Sequence, residues 1–143
     1  MRPLFAVLLA LFPLTTQAQT AEAQTAPIDW QLVAIDGVVT DMRATLRLSD
    51  DGTISGQAPC NRWSAMNGET LPALNLAAIR ATRMACDRLA DEQLFFDTLA
   101  AMTRLTPEGS RNLVLTGPDG RSMEFVSDLM NSLTTCKTCT DSD

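Results

Sequence analysis

Apolar and polar positions alternate along most of the chain between Ile28 and Val126. Ala44, Leu46 and Leu48 fall on one side and Thr45, Arg47 and Ser49 on the other, the two-residue period of a half-buried strand. Upstream, residues 28–35 form a β-rich run that ends at the turn signal Asp36-Gly37. Asp50-Asp51-Gly52 turns the chain, and residues 53–56 read as the hairpin partner. Asn61, Trp63 and Ala65 carry a third strand to Asn67-Gly68, the strongest short hairpin dipeptide. Residues 74–79 alternate again and lead towards Met84. Residues 103–106 add a strand before the Pro107-Glu108-Gly109 turn. Leu113 and Leu115 then alternate, residues 117–120 turn, and Met123 and Phe125 return.

One stretch has a different period. Phe95, Leu99 and Met102 lie at helical spacing, with Leu94 and Phe96 flanking that stripe, and predict a helix over 88–102. Asp91, Glu92 and Asp97 take the opposite or leading positions, and Asp87 is placed to cap the helix start. The expected fold is α+β and mainly β. It is an antiparallel meander or small barrel-like sheet of about seven or eight short strands with a single helix.

The two ends depart from this pattern. Residues 1–18 run from Arg2 through the apolar stretch 4–12 to Pro13 and the small residues Thr16 and Ala18. That is the order of a cleavable secretory signal, with Ala21 and Ala23 as later alternative cut sites. The apolar stretch is far below the ~20 residues that span a bilayer. Residues 19–27 are small and polar, a flexible leader, and 28–126 form the domain. Residues 127–143 carry little apolar material and read as a loosely ordered tail. No cysteine lies near the cut to take a lipid, so the expected product is periplasmic or secreted, soluble, without a membrane anchor and monomeric.

Charge and composition narrow the function classes. The net charge is −6, which disfavours nucleic acid and anionic membrane surfaces. There is no histidine, so a Ser-His-Asp or Cys-His site cannot be assembled. No catalytic residue, metal ligand or cofactor site is assigned.

Residues 55–64 (SGQAPCNRWS) and 81–86 (ATRMAC) stand out. With the Trp30-Gln31-Leu32 start and the closing Met123-Glu124-Phe125, they resemble the META domain family, the group of HslJ-like heat-shock proteins. The resemblance covers roughly 29–126. Its motif residues here are Cys60, Asn61, Arg62, Thr82, Arg83, Met84 and Cys86, expected to be structural. Pro59 stands where the family has glycine, and Ala65 where a glycine often follows the serine. The resemblance implies a stress-related binding or interaction role, with an unknown envelope protein or small ligand as partner, and no catalytic mechanism.

Residue chemistry leaves alternatives. In an oxidising compartment Cys60 and Cys86 form a disulfide, or pack as free thiols, or one of them is reactive. Cys136 and Cys139 have C-x-x-C spacing, which suits either a local disulfide or a thiol redox site. A zinc site from all four cysteines requires the tail to fold back. Arg62, Arg80, Arg83 and Asn61 make a candidate polar recognition face; otherwise Arg62 and Arg83 pair with carboxylates and Asn61 caps a turn. A barrel enclosing an apolar ligand, lined by Leu46, Leu76, Met84 and Phe125, is a further reading. So is an inhibitor of an envelope hydrolase that uses the Asn67-Gly68 hairpin as its wedge. N-terminal sequencing of the exported protein is expected to begin at Gln19; an unprocessed Met1 start overturns the signal assignment.

Overall fold

The structure is a computed structural model, and it describes residues 28–129. Nine strands and one helix follow the chain: β1 (Trp30–Ile35), β2 (Val38–Val39), β3 (Thr45–Leu48), β4 (Thr53–Gln57), β5 (Arg62–Met66), β6 (Arg80–Ala81), α1 (Leu89–Ala100), β7 (Arg104–Glu108), β8 (Asn112–Thr116) and β9 (Ser122–Val126). All nine belong to one antiparallel sheet in the order β6-β5-β4-β3-β1-β9-β8-β7, with β2 paired to β1. The expected mainly β architecture with a single helix is what the chain adopts.

Where one face of a strand is buried, the alternation survives intact. Leu46, Ile54, Trp63 and Ala65 point inwards from β3, β4 and β5, while Arg47, Ser55, Arg62 and Ser64 point out. The helix buries the expected stripe: Phe95 and Leu99 are fully enclosed and Met102 nearly so. Phe95 meets Trp63 edge-on, with ring centroids 5.9 Å apart at 61°. Leu105, Leu113, Leu115, Met123 and Phe125 complete the core.

Two glycines permit close approaches. A Cβ on Gly56 would run into the Thr45 carbonyl, where β3 crosses from its β1 pairing to its β4 pairing. A Cβ on Gly117 would meet the Ala101 carbonyl at 2.5 Å, so this glycine lets the β8–β9 turn tuck under the end of the helix.

Several expectations are corrected. Asn67-Gly68 does not make a two-residue hairpin. The Asn67 side chain donates to the Glu69 and Ala73 carbonyls (2.9 and 3.0 Å) and accepts from the Asn75 amide (2.8 Å). These bonds fold residues 67–76 into a braced loop. Residues 74–79 are therefore not a strand. They make one bridge, Asn67 to Leu76, while Ala73 bridges to Arg104. Through those bridges the loop spans the gap between β5 and β7, and the open sheet curls towards a barrel. The strand expected at 103–106 extends through Pro107 to Glu108. Asp87 does not cap the helix. The N-cap position is Arg88, without a side-chain cap, and its guanidinium instead pairs with Asp91 (2.7 Å) and Asp41 (3.0 Å). The chain also stays attached beyond 126: the Ser127 amide donates to Arg111, and Arg111 pairs with Asp128 at 3.8 Å. The signal segment, the leader and the C-x-x-C tail lie outside the described residues.

Gly56→Ala is expected to destabilise the domain by about 3 kcal/mol, because backbone rather than a flexible side chain stands in the way. Equilibrium urea unfolding measures the loss.

Candidate functional site

The motif residues converge on α1, and the group that gathers them is a carboxylate. Glu92 is only 7 % exposed. Its Oε2 accepts the Cys60 and Asn61 backbone amides at 2.9 and 2.8 Å, and its Oε1 accepts the Asn61 side-chain amide at 2.7 Å. A buried carboxylate needs such partners, and three charge-assisted hydrogen bonds supply them.

Asn61, 3 % exposed, is the hub. Its Oδ1 accepts the Thr82 hydroxyl (2.8 Å) and the Met84 amide (2.7 Å). Its Nδ2 donates to the Met84 carbonyl (3.3 Å) and to Glu92. All four hydrogen-bonding positions of the side-chain amide are therefore used. Thr82 also pairs with β5: its amide donates to the Arg62 carbonyl at 3.0 Å, and its hydroxyl accepts the Arg62 amide at 3.2 Å. Cys60 and Cys86 lie at disulfide distance, with Cα atoms 6.0 Å apart across a separation of 26 residues. A link closing that loop contributes about 3–4 kcal/mol on a chain-entropy estimate. The Ala58 amide donates to the Asn61 carbonyl at 2.7 Å, and Cys60 and Asn61 donate to Glu92. The hydrogen bonds of this turn draw no donor from position 59, so Pro59 fits where the family has glycine.

The structure thus brings Cys60, Asn61, Thr82, Cys86 and the Met84 backbone into one clamp. Four expectations change. The Met84 side chain does not fill the interior; the residue is 66 % exposed. Arg62 and Arg83 pair with no carboxylate among the described residues, and Asn61 bridges two segments rather than capping a turn. Glu92 is a first-turn acid, as expected, but it does not face outward. It lies three residues before Phe95 and seven before Leu99, on the buried stripe itself, and that spacing is the signal that marks it.

The apolar-ligand reading places four side chains around an interior cavity. Leu46 and Phe125, named as its lining, are fully buried against their neighbours, and Leu76 packs against the same core. The segment named for the inhibitor reading is an exposed loop braced by Asn67 rather than a two-residue hairpin. No group of metal ligands occurs among the described residues. No helix among them is long and apolar enough to cross a membrane.

The outer face of β3–β6 is polar. Register aligns Arg47, Ser55, Ser64 and Arg80 in one row across four strands, and Gln57 with Arg62 in the next. Arg47 is engaged there by Asp29 through two hydrogen bonds, 2.8 and 2.7 Å. Hydrogen bonding to the guanidinium holds the Asp29 carboxyl below its ordinary range. The pair's small contribution to stability is therefore present above about pH 4 and is lost as pH falls through the lowered value.

Fold and clamp together define a class: a small antiparallel β domain in which one helix carboxylate fastens two motif segments. The family model for the META domain matches residues 23–129, and the chain belongs to that family. Two solved structures share the fold. A solution structure of a protein from Burkholderia xenovorans is 22% identical, with a TM-score of 0.55, over 69% of this chain and 80% of that one. A second solution structure is 19% identical, with a TM-score of 0.53, over 73% of this chain and 92% of the other. No curated protein matches the sequence significantly.

Asn61→Ala leaves the Thr82 hydroxyl, the Met84 amide and one Glu92 oxygen without their partner. It is expected to cost about 2–4 kcal/mol in urea unfolding. Asn61→Asp is expected to be worse at pH 7, where it sets a second carboxylate against Glu92.

Proposed function

We propose that this META domain is a non-enzymatic binding protein of the cell envelope, exported, soluble after signal cleavage, and engaged in a stress-related role. The observation that carries the reading is the inward use of the motif. Asn61 and Thr82 spend their polar groups on one another, on Glu92 and on main chain, and Cys60 faces Cys86. Side chains so committed hold a shape; they are not poised to attack, protonate or ligate a substrate. The lack of histidine supports the same reading. An oxidising compartment would keep the Cys60–Cys86 pair closed, which agrees with the signal-like start. The stress-related role rests on the resemblance to heat-shock proteins.

Complementation of a deletion strain tests this. The deletion is expected to be sensitive to heat or oxidant, and the Cys136→Ser/Cys139→Ser chain is expected to rescue it as fully as wild type. Rescue that requires those two cysteines would replace the binding role with a thiol redox role. A deletion indifferent to stress overturns the stress-related role.

A further inference from the structure

The chain carries net negative charge, yet its unpaired cations are not scattered evenly. The described residues contain nine arginines. Arg47, Arg88, Arg111 and Arg121 are each paired with a carboxylate. The other five have no such partner among the described residues: Arg62, Arg80 and Arg83 belong to or adjoin the β5–β6 ladder, while Arg43 and Arg104 stand apart from it. Arg62 and Arg80 share the outer face, because Ser64 pairs with Arg80 and Arg62 lies two residues before Ser64.

That face is concave. A hollow of about 540 Å³ is lined by Thr45, Ser55, Gln57, Arg62 and the Asp29–Arg47 ion pair, whose carboxylate is taken up by Arg47. A second, of about 280 Å³, is lined by Arg62, Ser64, Arg80 and Thr82. A third, of about 330 Å³, continues past Ser64 and Arg80 to Met66, Ala77 and Ala78. Arg62 borders the first two hollows, and Ser64 with Arg80 borders the last two, so they run together as one groove across four strands. Its floor offers hydroxyls and an amide, and two free guanidiniums flank its middle. The first and third hollows fall within the roughly 300–1,000 Å³ that suits small ligands, and the second, between them, falls just below it.

We propose that this groove is a binding site for a small hydroxylated organic anion, whose oxyanion groups are held by Arg62 and Arg80 and whose hydroxyls are held by Ser55, Ser64 and Gln57. Guanidinium forks match carboxylate and phosphate oxygens, which is the recognition chemistry a paired arginine cannot offer. Charge selects the small anion over a polymer. A long polyanion meets the net charge of −6 over its whole length, whereas a small one sits within about 8–10 Å of the two arginines, inside one screening length. The proposal deepens the binding reading above and depends on it.

Titration of the full exported chain, followed by amide NMR and calorimetry, tests the site with citrate, glucose 6-phosphate and glucose as probes. Saturable shifts at Ser55, Gln57, Arg62, Ser64 and Arg80 are expected with an anionic probe and not with glucose. A response to citrate assigns a carboxylate ligand, and a response to glucose 6-phosphate assigns a phosphate. Arg62→Gln and Arg80→Gln are each expected to weaken that binding about tenfold, and Arg104→Gln to leave it unchanged. Both groove variants carry surface changes, and unaltered urea midpoints establish that they fold. Silence towards both anions, equal weakening by Arg104→Gln, or tighter binding of polyglutamate than of either probe overturns the proposal. None of those outcomes removes the binding role itself, which fails instead in the complementation experiment.

Discussion

A carboxylate enclosed in a small β domain is tolerable only when its oxygens are engaged, and Glu92 meets that condition with main chain and one amide. The rest of the site follows from it. Holding the Cys60 and Asn61 amides fixes the turn between β4 and β5, and that turn aims the Asn61 side chain at residues 82–84. Those residues have little apolar burial of their own, since the whole stretch from Arg80 to Asp87 is exposed. Their position comes from hydrogen bonds to Asn61, a two-residue ladder with β5, and the Cys60–Cys86 pair. Polar bonding here does the work that packing does elsewhere in the domain.

Legibility in the sequence followed burial. β3, β4, β5 and β8 show in the alternation because each turns one face into a shared core, Met123 and Phe125 mark β9 although its other face is buried too, and the stripe Phe95-Leu99-Met102 shows because α1 covers that core. Elements held by other forces leave no period to read. β2 and β6 are two residues long and exposed, and the 67–76 loop is shaped by one asparagine side chain competing for backbone groups. The site was visible as a set of residue types, but the reason for them was not. The bond from Glu92 to Asn61 joins positions 31 residues apart, and no local pattern encodes it. Only the place of Glu92 on an otherwise apolar stripe hinted that an acid had been taken inside.

The clamp and the groove divide the motif by direction. Asn61 faces inward and is saturated; Arg62, the next residue, faces outward and is unpaired among the described residues. A strand gives neighbouring residues opposite faces, so one short sequence both fastens the domain and equips its surface. The register that places Trp63 against Phe95 also sets Ser64 between Ser55 and Arg80. A slip of one residue in β5 would expose the tryptophan and bury the arginine.

The position of β1 has a bearing on the order of assembly. It lies in the middle of the sheet, between β3 and β9, so the first strand of the domain is flanked by the last. Leu32 pairs with Phe125, one of the longest sequence separations in the fold. A ribosome or a translocation channel releases the amino-terminal strand first and must release nearly the whole domain before that strand gains its second neighbour. Until then Leu32 and Ile35 lack one wall of their enclosure, and β8 and β7 have no seam to join. Such a topology ties completion of the core to completion of the chain, a slow, late closure rather than growth outward from a finished hairpin.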